Sequence, residues 1–306
     1  MYLNSTLIAL KRSCLSVGAL AGLVAVLPST GLSSEYDLSP SGTQTMTMAG
    51  AYGGTAIVSD YWSQPAGTGV FKPFLTLDAN GQTSTGSNYI EQAYNADGFK
   101  DLYLDGLRPN WNTTLRYGDL ATITINQINY FAFILDANEP GGAKSTLSID
   151  NIRIYTSSTD NTANVANDLT KLDNLGTLRW AMNDPTKNPN GTFNMTNWIK
   201  LDAGQENINM GSNGGSGMAD MIIYIPQTAF GHTAASDFVW FYNLNGVHYS
   251  VDKNLGATAG FEEWSAVKSN NPNPVPDNAG TCFLLASALS ALGVCARRLK
   301  ASRRSL

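Results

Sequence analysis

The chain has few of the residue types that build most catalytic and metal centres. It contains only three cysteines and two histidines in 306 residues. Cys14 lies near the amino end, and Cys282 and Cys295 lie near the carboxyl end, so the long segment between them has no cysteine. Disulfides and cysteine-based metal sites are therefore excluded from that segment. The histidines, His232 and His248, do not have the spacing of zinc ligands.

Familiar catalytic motifs are also missing from the sequence. There is no Gly-x-Ser-x-Gly elbow, no phosphate-binding loop and no His-Glu-x-x-His sequence. The adjacent Glu262 and Glu263 point to opposite faces of a strand, which is poor geometry for flanking one glycosidic bond. We interpret the pair as a strand end at the surface. The sequence thus predicts no catalytic residue and no enzyme; a glycoside hydrolase would require two carboxylates that face each other in a cleft.

Positive charge is scarce outside the two ends of the chain. Seven of the 19 basic residues lie in the terminal segments, and the remaining 12 accompany all 24 Asp and Glu residues. The long middle segment is therefore acidic, with about 12 excess negative charges. An acidic surface repels the phosphate backbone, so we expect no nucleic-acid partner.

The amino end has the pattern of a secretory signal. Lys11 and Arg12 precede an apolar stretch over residues 15–27, and small residues follow it. This order is typical of a signal peptide and implies export. We predict a signal peptide over residues 1–34, with cleavage between about Gly31 and Glu35.

The carboxyl end carries an apolar run followed by a basic cluster. Gly280–Ala296 has 17 residues without a charge, enough to cross most of a hydrocarbon core as a helix. Five cations follow and predict a stop-transfer signal that stays in the cytoplasm. They are Arg297, Arg298, Lys300, Arg303 and Arg304. A plain tail anchor and a buried core helix are the alternatives to a sorting device.

The motif before this run carries a resemblance to a known family. Val275, Pro276, Asp277 and Thr281, with the span and the basic tail, resemble the C-terminal sorting domain of PEP-CTERM proteins, in the variant that begins Val-Pro-Asp. Ala279 stands where that variant has glycine. The resemblance implies that residues 275–306 hold the protein transiently in the inner membrane until an exosortase-type protease processes the motif. The product would reach the cell surface or the extracellular matrix.

The segment between the two ends has a β pattern throughout. Short runs of β-branched and aromatic residues, such as Tyr130–Leu135, Met221–Ile225 and Phe238–Tyr242, alternate with clusters of Gly, Asn, Asp and Pro. This spacing predicts an all-β fold: an antiparallel β-sandwich, jelly-roll-like, over residues 35–268. It forms one domain or two sub-domains that divide near 157–190. A linker over 269–274 follows, and apolar spacing suggests one helix over Asn164–Met182.

One predicted strand, Leu147–Tyr155, raises the question of a calcium site. Alternation would put Ile149 on one face and Ile152 and Ile154 on the other. The strand resembles the closing strand of jelly-roll carbohydrate-binding modules, in which an Asp often contributes to structural calcium. The residues that this resemblance and their oxygen chemistry suggest are Asp136, Asn138, Glu139 and Asp150. The alternative is that these side chains only cap a strand and start a turn.

Aromatic residues beside Asn- and Gly-rich loops give a second hypothesis. Trp62, Tyr94 and Trp111 are candidates for stacking on sugars, although most such rings belong to cores. The leading hypothesis is a non-enzymatic protein of the cell surface or matrix. The alternative is a carbohydrate-binding module that associates with exopolysaccharide.

Overall fold

The computed structural model describes residues 34–60, 72–78, 87–97, 103–106, 110–139, 145–187, 196–204, 219–258 and 260–269, all of them within one compact unit, Ser33–Leu306. Strands are the commonest regular structure among these residues. The strands are β1 Ser34–Asp37, β2 Thr45–Ala49, β3 Thr55–Ser59, β4 Leu75–Leu77, β5 Glu91–Tyr94, β6 Leu115–Arg116, β7 Thr122–Ile125, β8 Ile128–Asp136, β9 Thr146–Ser157, β10 Thr177–Ala181, β11 Asn197–Asp202, β12 Met221–Pro226, β13 Phe238–Asn245 and β14 Glu262–Ala266. The helical segments are α1 Thr162–Val165 and 3-10 turns at Tyr117–Asp119, Leu169–Leu175, Gln227–Phe230 and Val247–Ser250.

The strands form two sheets of seven strands each. Sheet A has the order β1-β11-β9-β13-β5, with β10 also paired to β9 and β6 to β13. Sheet B has the order β2-β3-β12-β8-β14-β4, with β7 also paired to β8. Among the described pairs only β1 and β11 run parallel. The prediction of an all-β, mainly antiparallel fold is therefore confirmed.

One hydrophobic core joins the inner faces of the two sheets. The Phe241 ring of β13 in sheet A lies 5.1 Å from the Phe133 ring of β8 and 4.8 Å from the Trp264 ring of β14, both in sheet B. All three side chains are fully buried. Burial of such large rings is the main favourable contribution to folding.

The outer face of sheet A is covered by the segment in which a helix was expected. Val165 of α1 and Leu172 and Leu175 of the 3-10 turn pack on buried aromatic rings of β9 and β13. The prediction of a single helix over Asn164–Met182 is wrong, because β10 begins directly after Gly176. That glycine has φ +156°, and a Cβ there would lie 2.2 Å from the Thr156 carbonyl oxygen. A regular helix cannot continue through such a backbone.

A bulge in β9 changes which side chains reach the core. Ile149 pairs with Asn245 of β13, whereas the next β13 residue towards the amino end, Leu244, pairs with Asn151. Asp150 is passed over, so Ile149 and Ile152 both belong to the core between the sheets. The predicted alternation is therefore wrong beyond Ile149, since an extra residue in a bulge shifts the faces by one.

Backbone hydrogen bonds hold both ends of the described part of the chain to the fold. Ser34 starts β1 at the edge of sheet A, and Ser269 donates its backbone N–H to the Asp119 carbonyl at 2.9 Å. Residues 157–187 contribute β10 to sheet A within the same compact unit as the rest. No helix in the described part of the chain is long and apolar enough to cross a membrane. The predicted span lies outside the described residues.

Candidate functional site

Two glutamates face each other between the sheets. Glu91 begins β5 in sheet A and shares its face with Ala93 of the core, because residues two apart in a strand point the same way. Glu262 begins β14 in sheet B and shares its face with Trp264. The side chains are 0 % and 1 % exposed, and their carboxyl groups lie within hydrogen-bonding reach of each other. The pair is therefore an internal carboxyl pair at one end of the core.

Asn245 completes this cluster from β13. It is directly opposite Glu91 in the ladder and donates its Nδ2–H to Glu91 Oε1 at 2.7 Å. Three buried oxygens of the cluster then have no hydrogen-bond partner: Glu91 Oε2, Glu262 Oε1 and Asn245 Oδ1. Native proteins rarely leave buried polar atoms without a partner. We call Glu91, Asn245 and Glu262 the inner carboxyl cluster.

The surroundings disfavour ionisation of the inner carboxyl cluster. Burial is the main cause that raises the pKa of Glu91 to about 7, and the charges of Asp105 and Asp78 act in the same direction. Hydrogen bonds from Glu262 and Asn245 oppose the rise. Burial also raises the pKa of Glu262 well above its ordinary value, and the charge of Glu91 is the next cause. Without a cation, the two carboxyls are expected to hold a proton between them.

A separate polar pair lies on β9 and the 3-10 turn that follows β13. Asp150 is fully buried, and its Oδ1 lies 2.5 Å from Nδ1 of His248. Its other oxygen accepts from Ser148 Oγ at 2.8 Å and from the Val247 backbone N–H at 2.7 Å. The His248 ring stacks on Trp198, with 4.0 Å between ring centroids. These contacts fix the imidazole in place and use both oxygens of the carboxylate.

The four predicted calcium ligands have different neighbours in the fold. Asp150 contacts His248, as described above. Glu139 accepts hydrogen bonds from the backbone N–H and the hydroxyl of Thr258, and Asn138 donates to the Phe261 carbonyl at 2.6 Å.

Asp136, the fourth predicted ligand, is buried in β8 of sheet B. Its charge contributes, after burial, to a raised pKa of Asp220. In the described part of the chain, no group of three or more His, Cys, Asp or Glu side chains is arranged to hold a metal ion.

The predicted sugar-stacking residues also differ from one another. Tyr94 is 1 % exposed, stacks on Tyr103 and donates its hydroxyl to the Ala166 carbonyl at 2.7 Å. The expectation of an exposed ring is wrong for Tyr94, because this ring packs beneath α1. Trp111 is half-buried, with its ring 5.8 Å from Phe261. Trp62 lies outside the described residues.

An aromatic pair with one exposed ring occurs elsewhere. The Tyr89 and Tyr249 rings stack 3.8 Å apart, and Tyr89 is 38 % exposed. The ammonium group of Lys253 lies 3.9 Å from the centre of the Tyr249 ring. Flat rings beside a cation are suited to contact with a polar, anionic ligand.

The segments that carry the sorting prediction are not part of the described structure. The motif residues Val275, Pro276, Asp277 and Thr281 lie outside the described residues, as do all five cations of the carboxyl end. Comparison with family models, with curated proteins and with solved structures found no match. The sorting signal therefore stays a prediction from the sequence.

Sequence reasoning missed the inner carboxyl cluster. Glu262 and Glu263 were interpreted as a surface strand end, and this is wrong because both are 1 % exposed. Their predicted opposite orientation is consistent with the structure, since only Glu262 shares the Trp264 face. The sequence contains only a weak signal for this cluster. In each of two strands, a glutamate stands two residues before a core residue. Only the pairing of β5 with β13 and of β14 with β8 brings the cluster together.

Proposed function

We propose that the protein is an exported, non-enzymatic component of the cell surface or extracellular matrix. Its jelly-roll-like β domain would be released from the inner membrane when an exosortase-type protease processes the Val-Pro-Asp motif. The proposal depends mainly on one observation: the motif, the apolar span and the basic cluster follow one another at the carboxyl end. The amino-terminal signal supports export, since the two signals act on the same route.

The predicted linker before the motif supports this division of the chain. The run Ser269-Asn270-Asn271-Pro272-Asn273-Pro274 favours an extended backbone, which would keep the motif accessible to a protease.

The inner carboxyl cluster supports a role without catalysis. Glu91 and Glu262 are one described pair of carboxylates that face each other, as a glycosidase would require. A glycosidase separates its two carboxyls by about 5 Å or more so that sugar and water fit between them. Glu91 and Glu262 instead lie within hydrogen-bonding reach and are buried. A sugar would have no access to them.

Intact-mass measurement of the protein from its native host tests the proposal. We expect a mature chain that begins near residues 32–35 and lacks the span after Gly280. Asp277→Ala should block processing and leave the full-length tail in the inner membrane, because the motif is the recognition element. Asn273→Ala in the linker is the matched control and should be processed normally. Recovery of the unaltered protein with its tail intact in the membrane would refute processing.

A second candidate function is binding of exopolysaccharide, and the Tyr89–Tyr249 pair favours it. The exposed Tyr89 ring offers a surface for stacking, and Lys253 offers a positive charge for an acidic sugar. We expect the exported protein to bind an anionic polysaccharide in a pull-down assay. Tyr89→Ala should weaken that binding by about tenfold, the usual contribution of one stacked ring. Tyr52→Ala, at another exposed tyrosine, is the control. Failure of the unaltered protein to bind any glycan would reject this function.

A further inference from the structure

We propose that the inner carboxyl cluster, Glu91, Asn245 and Glu262, is a structural calcium site inside the β-sandwich. The site is separate from the residues that the sequence suggested for calcium, and it does not depend on tail processing. Its ligand would be a hard divalent cation held by carboxylate and amide oxygens.

Position and burial are the first argument. Glu91 and Asn245 come from neighbouring strands of sheet A, and Glu262 comes from sheet B. All three are buried, at most 1 % exposed, on faces that also supply the core. A cation held by them would therefore link the two sheets. Such a ligand binds only the folded chain, so its binding free energy contributes directly to stability.

The three oxygens without partners are the second, independent argument. Glu91 Oε2, Glu262 Oε1 and Asn245 Oδ1 are buried and accept no hydrogen bond. Each of these oxygens can accept a hydrogen bond or ligate a metal ion, and a carboxyl oxygen donates only when it is protonated. Two carboxyl groups that approach each other must share a proton or bind a cation, since two negative charges at that distance repel strongly.

Charge favours the cation over the proton. Neither Glu91 nor Glu262 forms an ion pair with a Lys, Arg or His of the described chain. Asp78 and Asp105 add negative potential near Glu91, and Glu139 adds it near Glu262. A divalent cation would neutralise both glutamates and would be attracted by their acidic neighbours. Carbonyl groups or water would complete the six to eight oxygens that calcium requires.

The donor set selects the metal. It contains two carboxylates and an amide oxygen, with no His or Cys, which disfavours zinc and copper. One of the three ligand oxygens comes from the amide of Asn245, so the set has only two acidic side chains. Calcium tolerates irregular oxygen geometry better than magnesium does, so we expect calcium to bind more tightly.

Calcium titration of the mature protein, freed of metal by a chelator, is the test. We expect one calcium per chain by elemental analysis and a Tm that rises by roughly 5–10 °C when calcium is about 100 times its Kd. Glu262→Gln should weaken calcium binding by about 100-fold, because a carboxylate ligand is lost. Glu263→Gln is the matched control, since it is equally buried on the opposite face of β14, and it should keep the full response.

A third variant decides the question even where Glu262→Gln does not fold. Asn245→Asp has the same size and adds a negative oxygen. At a calcium site it should enlarge the difference in Tm between calcium and chelator. If the two glutamates only share a proton, Asn245→Asp should lower the Tm equally with calcium and with chelator. No calcium effect on the unaltered protein, or a full response retained by Glu262→Gln, would overturn the proposal. Either result leaves the mass measurement of tail processing unaffected.

Discussion

Glu91→Gln is expected to remove most of the loss of stability that the calcium-free protein shows between about pH 4.5 and pH 7. The folded protein raises the pKa of Glu91 from 4.5 to about 7, mainly through burial. In this interval the folded state therefore binds more protons than the unfolded state. The free energy of unfolding must fall as the pH rises, and it is highest below the unfolded pKa.

The expected size of the effect follows from the shift. A rise of this extent corresponds to about 3 kcal/mol lost by pH 7. Glutamine cannot ionise, so Glu91→Gln should be about as stable as the unaltered protein at pH 4.5 and about 3 kcal/mol more stable above pH 7. Denaturant unfolding at a series of pH values, with chelator present, measures both quantities.

The matched control for this prediction is Glu35→Gln, at an exposed carboxylate of β1. It should leave the pH dependence unchanged. A slope that survives in Glu91→Gln would show that the stability loss comes from other groups, such as Asp220 or Glu262. Calcium should also flatten the slope of the unaltered protein if it neutralises the same carboxylates.

Gly246→Ala is expected to destabilise the protein by about 3 kcal/mol or more. Gly246 joins β13 to the 3-10 turn that carries His248, and its φ is +81°. A Cβ there would lie 1.9 Å from the Tyr89 carbonyl oxygen, a backbone atom. That oxygen already accepts the Ala257 N–H at 3.0 Å, so it cannot move without loss of this bond. Backbone strain and steric overlap therefore act together.

Thermal unfolding measures this second effect, with an expected Tm decrease of roughly 6–12 °C. Gly42→Ala is the control, because Gly42 also has a positive φ, +97°, but a Cβ there would meet no atom within 4 Å. It separates the cost of the backbone angle from the cost of the overlap. Equal losses in the two variants would mean that the Tyr89 backbone adjusts and that overlap contributes nothing.

The strands could be predicted from local composition, because their signal is contained in a few consecutive residues. The runs Tyr130–Leu135 and Phe238–Tyr242 lie within β8 and β13, where apolar side chains are buried on both faces. The bulge at Asp150 could not be predicted in this way. It depends on how β9 pairs with β13, and no periodic pattern within β9 marks the extra residue.

The inner carboxyl cluster could not be predicted from the sequence either, because it also depends on contacts between distant strands. Glu91 and Glu262 are far apart along the chain, and each has a polar neighbour, Gln92 or Glu263, that suggests a solvated strand end. Their burial is decided by the packing of sheet A on sheet B. The stacked Tyr89 and Tyr249 likewise meet only in the folded protein.

The place of β14 in sheet B has a consequence for the order of folding during synthesis. β14, the last strand of the described domain, lies between β8 and β4, and it is the only strand that pairs with β4 in the described structure. It follows the thirteen other described strands in the chain, so β4 and the part of β8 from Phe133 to Asp136 lack a partner on this side until the β14 segment emerges. Contacts this distant in sequence form slowly and leave apolar edges open to aggregation. We therefore expect the nascent chain to need chaperone protection until almost the whole domain has been made.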